Sequence, residues 1–316
     1  MKVTLPTLHD IEAAAERIAG VASRTPLVES PALSKLAGRE VYLKLECFQP
    51  IKVFKIRGAY NRVSRIREQK VVAASSGNHG IAVAYSSRLL GKQCTVVVPE
   101  NVVREKAETI TGFGGRLVRA GRFSSERETK AKEIASATGS AFVHPFNDPD
   151  VIAGQGTCGL EISEQMDDFD SVLVPVGGGG LISGISIALK SRRPRSKVYG
   201  VEPEGAAKLK GALAAKKIVT VPSPASMADG LIPSSLGELT FEACSRYVDG
   251  AFTASEAEIL GATRVMAREA KIFAEPSGAA PLAPLLSRAE GLGERVVVVV
   301  SGGNISLDTL QKAITP

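Results

Sequence analysis

Four consecutive glycines, Gly177, Gly178, Gly179 and Gly180, stand between an apolar β-branched run at 171–176 and an apolar-periodic segment at 181–189. The first reads as a buried strand and the second as a helix. A strand that turns into a helix across residues without Cβ atoms commits the chain to a strand–turn–helix unit, the building block of parallel α/β sheets. Such a turn can bring several backbone N–H groups against one ligand. The helix behind it adds unpaired amides and the positive end of its dipole. That is a cup for an anion, most naturally a phosphate, and the alternative is a flexible turn that holds nothing. No Gly-Lys-Ser/Thr follows the glycines, which excludes a Walker loop. A dinucleotide fingerprint normally sits in a first βαβ unit, although Glu202 stands at a spacing that keeps a nucleotide reading open.

The same alternation runs through the chain. Strands are expected at 41–45, 71–74, 94–98, 116–118, 141–143, 172–176, 198–201 and 296–300. Helices are expected at 8–18, 31–36, from Pro50 to 66, and at 81–90, 103–110 and 125–137. The expected architecture is doubly wound α/β with mostly parallel sheets, in two lobes with a cleft between them.

Three further stretches carry chemistry. Lys55 follows Phe54 near a helix start, where an aromatic neighbour and the helix N-terminus disfavour its cation. Its amine then becomes available as nucleophile or base, against the alternative of an ordinary solvated lysine. Ser75-Ser76-Gly77-Asn78-His79-Gly80 follows a strand directly, and suits a carboxylate or simply caps the next helix. Ser301-Gly302-Gly303-Asn304 follows the most apolar strand. Ligands in open α/β sheets sit beyond the carboxyl ends of strands, where these loops converge.

Other classes fit poorly. The net charge is only +6, aromatic residues make up 5%, and tryptophan is absent, so nucleic acid is not an expected partner. The basic cluster Lys190, Arg192, Arg193, Arg195 and Lys197 falls where a helix should end, and complements its dipole. No apolar run approaches the roughly 18 residues of a membrane span. The N-terminus lacks a signal peptide's apolar core, so a cytoplasmic location is expected. The four cysteines and three histidines lack metal-ligand spacing.

Read together and in order, Phe54-Lys55-Ile56-Arg57-Gly58-Ala59, the 75–80 loop, the four glycines with Leu181, and Ser301-Gly302-Gly303-Asn304 resemble the fold-type II pyridoxal-phosphate enzymes. The likeness is to their threonine dehydratase and serine racemase branch. Thr25-Pro26-Leu27, Gly200-Val201-Glu202-Pro203, Ala228-Asp229-Gly230 and Glu275-Pro276-Ser277-Gly278 agree with it. The resemblance implies a tryptophan synthase β-like fold. Residues 1–65 with 147–316 would form a large cofactor domain, and 66–146 a small mobile one. It implies pyridoxal 5'-phosphate joined to Lys55, with Phe54 beside the ring and Asn78 on its 3-oxygen. Gly177 to Gly180 and the Leu181 amide would hold the phosphate. Ser301 would face the pyridine nitrogen, with Gly302 and Glu275 also at the cofactor. Ser75, Ser76, Gly77, Asn78 and His79 would hold the substrate carboxylate, and Ser76 matches the second base of the racemases. Arg127 and Ser234 match residues that approach the substrate side chain. The partners implied are a small amino-acid substrate and further copies of the chain, as a homodimer or homotetramer.

A serine partner, unlike a carboxylate, does not favour a protonated pyridine, so the ring is a poorer electron sink and loss of a β-hydroxyl wins over transamination. The expected reaction is dehydration and deamination of L-threonine or L-serine to a 2-oxo acid and ammonia. Serine racemisation and dehydration of 3-hydroxyaspartate are the rivals inside the family. Cysteine-synthase-like β-replacement and non-covalent nucleotide binding lie further off. Ile51-Lys52-Val53 departs from the Thr-Gly-Ser or Thr-Gly-Ala usual in relatives, and puts a second amine near Lys55. Ile81 stands where glutamine is usual. Some relatives bind a divalent cation after the Glu202-Pro203 segment. Here no acidic residue stands between Glu204 and Asp229, while Lys208 and Lys210 do, so a metal is not expected.

Overall fold

A computed structural model of the chain describes residues 4–75, 77–121 and 124–315. In chain order the strands are β1 (Leu27–Glu29), β2 (Glu40–Lys44), β3 (Lys70–Ala74), β4 (Gln93–Val98), β5 (Arg116–Arg119), β6 (Ala141–Phe142), β7 (Ser171–Pro175), β8 (Lys197–Pro203), β9 (Gly250–Ala254) and β10 (Arg295–Val299). They form a six-stranded sheet in the order β1-β2-β10-β7-β8-β9 and a four-stranded sheet in the order β5-β4-β3-β6. Every pairing is parallel except that of β1 with β2. The α/β architecture expected from the alternation is therefore present. Central strands β7 and β10 are buried on both faces, which explains why they read as continuous apolar runs rather than alternating ones. The short strand β1, absent from the strands expected from the sequence, forms one edge of the six-stranded sheet. Pro26 beside it gives the ladder no donor, but its carbonyl accepts from Leu45 N at 3.1 Å.

The helices that position the site are α1 (Leu8–Ile18), α2 (Pro31–Ala37), α3 (Lys55–Arg65), α4 (Asn78–Leu89), α5 (Arg104–Gly112), α6 (Ser124–Thr138), α7 (Pro149–Gln165), α8 (Gly180–Arg192) and α9 (Lys208–Ala215). α3 begins at Lys55, not directly after Pro50 as the sequence suggests. The backbone of 52–54 is spent elsewhere: Val53 bridges Gly302, Phe54 N donates to Ser301 O at 3.0 Å, and Gly303 N donates to Lys52 O at 2.8 Å. Those contacts place Lys55 beside the end of β10. α4 starts earlier than its apolar pattern, so Asn78 and His79 lie in its first turn.

α3 stands between the two sheets. Its Ile56, Ala59 and Val63 join Val71, Ala73 and Ile81 in the apolar core beside the four-stranded sheet. Its opposite face meets α7 with almost no gap, since a Cβ at Gly58 would lie 2.7 Å from the Val151 carbonyl and one at Gly154 would lie 2.6 Å from the Arg57 carbonyl. Beneath this contact lies a buried ionic cluster. Arg57 donates to Glu46 (Nε to Oε2, 2.7 Å) and to Glu161 (Nη1 to Oε1, 2.7 Å), and Lys44 also donates to Glu161. The two carboxylates hold the Arg57 guanidinium far above its ordinary range, against burial, and Arg57 holds Glu46 below the usual carboxylate range.

Candidate active site

The loops after β3, β7 and β10 open into one cavity of about 340 Å³ together with the start of α3. Lys55, Ser75, Gly77, Asn78, His79, the four glycines, Leu181, Ser234, Glu275 and Ser301 all line it, with Phe54 and Arg127. Ser76 lies outside the described residues. Gly302 sits behind Glu275, where a side chain at 302 would overlap the Glu275 carboxyl.

The Lys55 amine donates to the Pro145 carbonyl at 2.9 Å and lies 5.1 Å from the centre of the Phe54 ring. Burial lowers its pKa to about 8. The direction is the one expected from the sequence, but the cause is not. A ring face attracts a cation, so desolvation does the lowering. Lys52, expected to bring a second amine to the site, is exposed and outside the cavity lining. Its backbone has φ of 62°, a left-handed conformation that glycine adopts freely, which gives the usual glycine of relatives a physical reason.

The glycine cup is shaped by what presses on it. A Cβ at Gly178 would overlap the Phe146 ring, and one at Gly177 would lie 2.6 Å from the Gly230 carbonyl. Gly179 has φ of 91°. Thr240 Oγ1 donates to the Gly178 carbonyl at 2.8 Å and satisfies it, while the glycines and Leu181 at the head of α8, where helix amides lack intrahelical partners, line the cavity.

Asn78 is fixed from both sides. Its Nδ2 donates to Glu275 Oε1 at 2.7 Å, and Asn304 Nδ2 donates to its Oδ1 at 2.8 Å, leaving one amide hydrogen of Asn78 for a ligand. Glu275 is pushed up to about 7 by burial, with Asp229 adding repulsion, and its Oε2 has no hydrogen-bond partner among the described residues. The Ser75 hydroxyl accepts the Gly77 and Gly80 amides at 3.0 and 2.9 Å, so it serves the start of α4. The His79 side chain is engaged away from the cavity amides. Its Nε2 lies 3.0 Å from the Val143 carbonyl, an acceptor, so Nε2 carries the hydrogen and Nδ1 can only accept. Burial, with Lys55 nearby, lowers its pKa to about 3 and keeps it neutral. The amides at the head of α4 are then the donors that fit a carboxylate.

Arg127 on α6 is buried. It is 6% exposed, donates to Ser124 Oγ at 3.0 Å, and is one of the residues that line the cavity. The sequence reading missed Phe146, Glu128 and Lys106, which also line the cavity. Lys106 on α5 pairs with Asp229 at the cavity mouth. Asp229 lay within a recognised motif, whereas no local pattern marks Phe146 or Lys106.

Pyridoxal phosphate fits these residues: amides for its phosphate, an amine for its aldehyde, the spare Asn78 hydrogen for its ring oxygen and the Ser301 hydroxyl for its ring nitrogen. No cluster of histidine, cysteine or carboxylate side chains able to hold a metal occurs among the described residues. Nor is any helix there long and apolar enough to cross a membrane.

Comparison with known proteins agrees. The family described as "Pyridoxal-phosphate dependent enzyme" matches residues 18–302. An L-threonine ammonia-lyase of Thermotoga maritima is 41% identical over 98% of this chain and 78% of its own length. A beta-hydroxyaspartate dehydratase of Paracoccus denitrificans is 40% identical over 97% of this chain and 98% of its own. The solved structure of maize serine racemase superposes with a TM-score of 0.93 at 35% identity, covering 98% of this chain and 97% of that one. The chain belongs to the pyridoxal-phosphate-dependent enzymes of fold type II, with pyridoxal 5'-phosphate as its cofactor.

Proposed function

We propose that the chain is an ammonia-lyase that removes the β-hydroxyl and the amino group of L-threonine or L-serine, giving a 2-oxo acid and ammonia. The observation that carries this reading is the shared cavity of the Lys55 amine and the Ser301 hydroxyl. Pyridoxal phosphate supplies the conjugated ring that withdraws electrons from the substrate Cα. Ser301 would offer the ring nitrogen a neutral hydroxyl in place of a carboxylate, a setting that favours loss of the β-hydroxyl as water, the proton taken from Cα being available to the departing oxygen. Lys55 Nζ, with its pKa lowered to about 8, takes the Cα proton. The amides at the head of α4 hold the substrate carboxylate. Phe146, Leu231 and Pro233 give the side chain of threonine an apolar wall. In this reading residues 66–146 act as a small domain that closes over the substrate against 1–65 and 147–316, excluding water.

A second reading has a specific observation behind it. The buried Arg127 guanidinium on the cavity wall would pair with the extra carboxylate of 3-hydroxyaspartate. The test incubates the holoenzyme with L-threonine, L-serine, D-serine and the hydroxyaspartate diastereomers, following oxo acid and the chirality of remaining substrate together. Oxo acid from L-threonine or L-serine is the expected result. Turnover of hydroxyaspartate alone transfers the assignment to the second reading. Racemised serine without oxo acid, or no turnover of any of them, overturns the dehydratase reading.

A further inference from the structure

Lys208 is among the largest fully buried side chains of the protein, at 0% exposure. Its Nζ lies 3.0 Å from the Val176 carbonyl, 2.9 Å from that of Ala206 and 2.8 Å from that of Leu231, with Glu202 Oε1 at 3.3 Å. A neutral amine has only two N–H donors, so three carbonyls at these distances require the ammonium form. The surrounding oxygens are held independently of it. Glu202 Oε1 and Oε2 accept from the Leu209 and Lys210 amides at 2.8 and 3.0 Å, and the other ligands are backbone. Four oxygens carrying one formal negative charge around a single positive centre make a hard-cation site.

The cage sits next to the catalytic cavity. Val176 immediately precedes the glycine cup, and Leu231 lies in the segment that forms the opposite wall. Gly230, before Leu231, presses its carbonyl against Gly177. A charge that attracts the carbonyls of 176 and 231 together therefore sets the width of the cup.

We infer that the Lys208 ammonium is a built-in substitute for a bound cation, clamping the chain on both sides of the glycine cup without any ion from solution. Lys208 is a positioning residue in this role, since it reaches the cofactor only through backbone that it holds. The inference does not depend on which amino acid is turned over.

The test melts the holoenzyme and its K208A and K208M variants in chloride salts of tetramethylammonium, potassium and ammonium at equal ionic strength. Cofactor affinity is measured in each salt. Wild type is expected to melt at one temperature in all three. K208A leaves the oxygen cage without its charge. It is expected to melt about 2–4 °C higher in potassium or ammonium than in tetramethylammonium, which is too large to enter. Its cofactor affinity should recover in the same salts. K208M fills the same volume without charge and is expected to hold the cofactor roughly tenfold more weakly than wild type, whatever the salt. A K208A variant indifferent to the cation overturns the inference. So does a K208M variant with wild-type melting and cofactor affinity, a result that decides the matter even if K208A does not fold.

Discussion

At the scale of single residues, Glu275 shows how the fold opposes a charge on the wall of the candidate cavity. Its carboxyl is pushed up to about 7, first by burial and then by Asp229, although the Asn78 amide favours the ionised form. An unfolded chain releases this proton near pH 4.5, whereas the folded chain keeps it to about 7. Between those values the folded state binds more protons, so stability falls as pH rises and then levels off. The E275Q variant keeps an acceptor for Asn78 and removes the ionisation. It should match wild type near pH 4 and exceed it by about 3 kcal/mol at pH 8 in denaturant unfolding. A constant difference across that range would show that Glu275 does not titrate as its surroundings dictate.

Among secondary-structure elements, α3 carries Lys55 and is seated on α7 through facing glycines and the Arg57 cluster. Replacing Arg57 with methionine leaves Glu46 and Glu161 buried without their shared cation. It should cost about 3–5 kcal/mol. Removing the exposed Arg24 partner of Glu164 should cost under about 1 kcal/mol. Urea unfolding of both variants checks the contrast. This seating also explains what the sequence conceals. β7, β10 and the loops after them were legible because apolar runs and glycines mark them locally. α7 was not read as a helix, because Gly154, Gly156 and Gly159 weaken the helical pattern. Those same glycines let α3 and α8 approach. β9 escaped as well, since its residues are only partly buried and carry no strong apolar alternation. Lys55, Asn78 and Ser301 were legible from their motifs, while the buried setting of Arg127 depends on how α6 docks.

For the whole molecule, the cavity lies between parts that rest on different sheets. Lys106 of α5 reaches across its mouth to Asp229, joining the side of the four-stranded sheet to the wall beside the glycine cup. The K106M variant should raise the substrate KM severalfold, and more at low ionic strength than at high, while its melting temperature stays within about 1 °C of wild type. Equal KM values for variant and wild type at low salt would rule out a part for this pair in holding the mouth together.

The bridge between Val53 and Gly302 carries a consequence for how this candidate site tolerates change. Its hydrogen-bonded neighbours, Phe54 N to Ser301 O and Gly303 N to Lys52 O, are peptide groups, whose donors every residue but proline supplies. Exchanging the side chains just ahead of the lysine keeps them so long as position 52 tolerates its left-handed φ and position 54 is not proline. Ile51-Lys52-Val53 can therefore drift from the wording of its kin while the amine and the serine hydroxyl stay in register, like two beads knotted on separate threads.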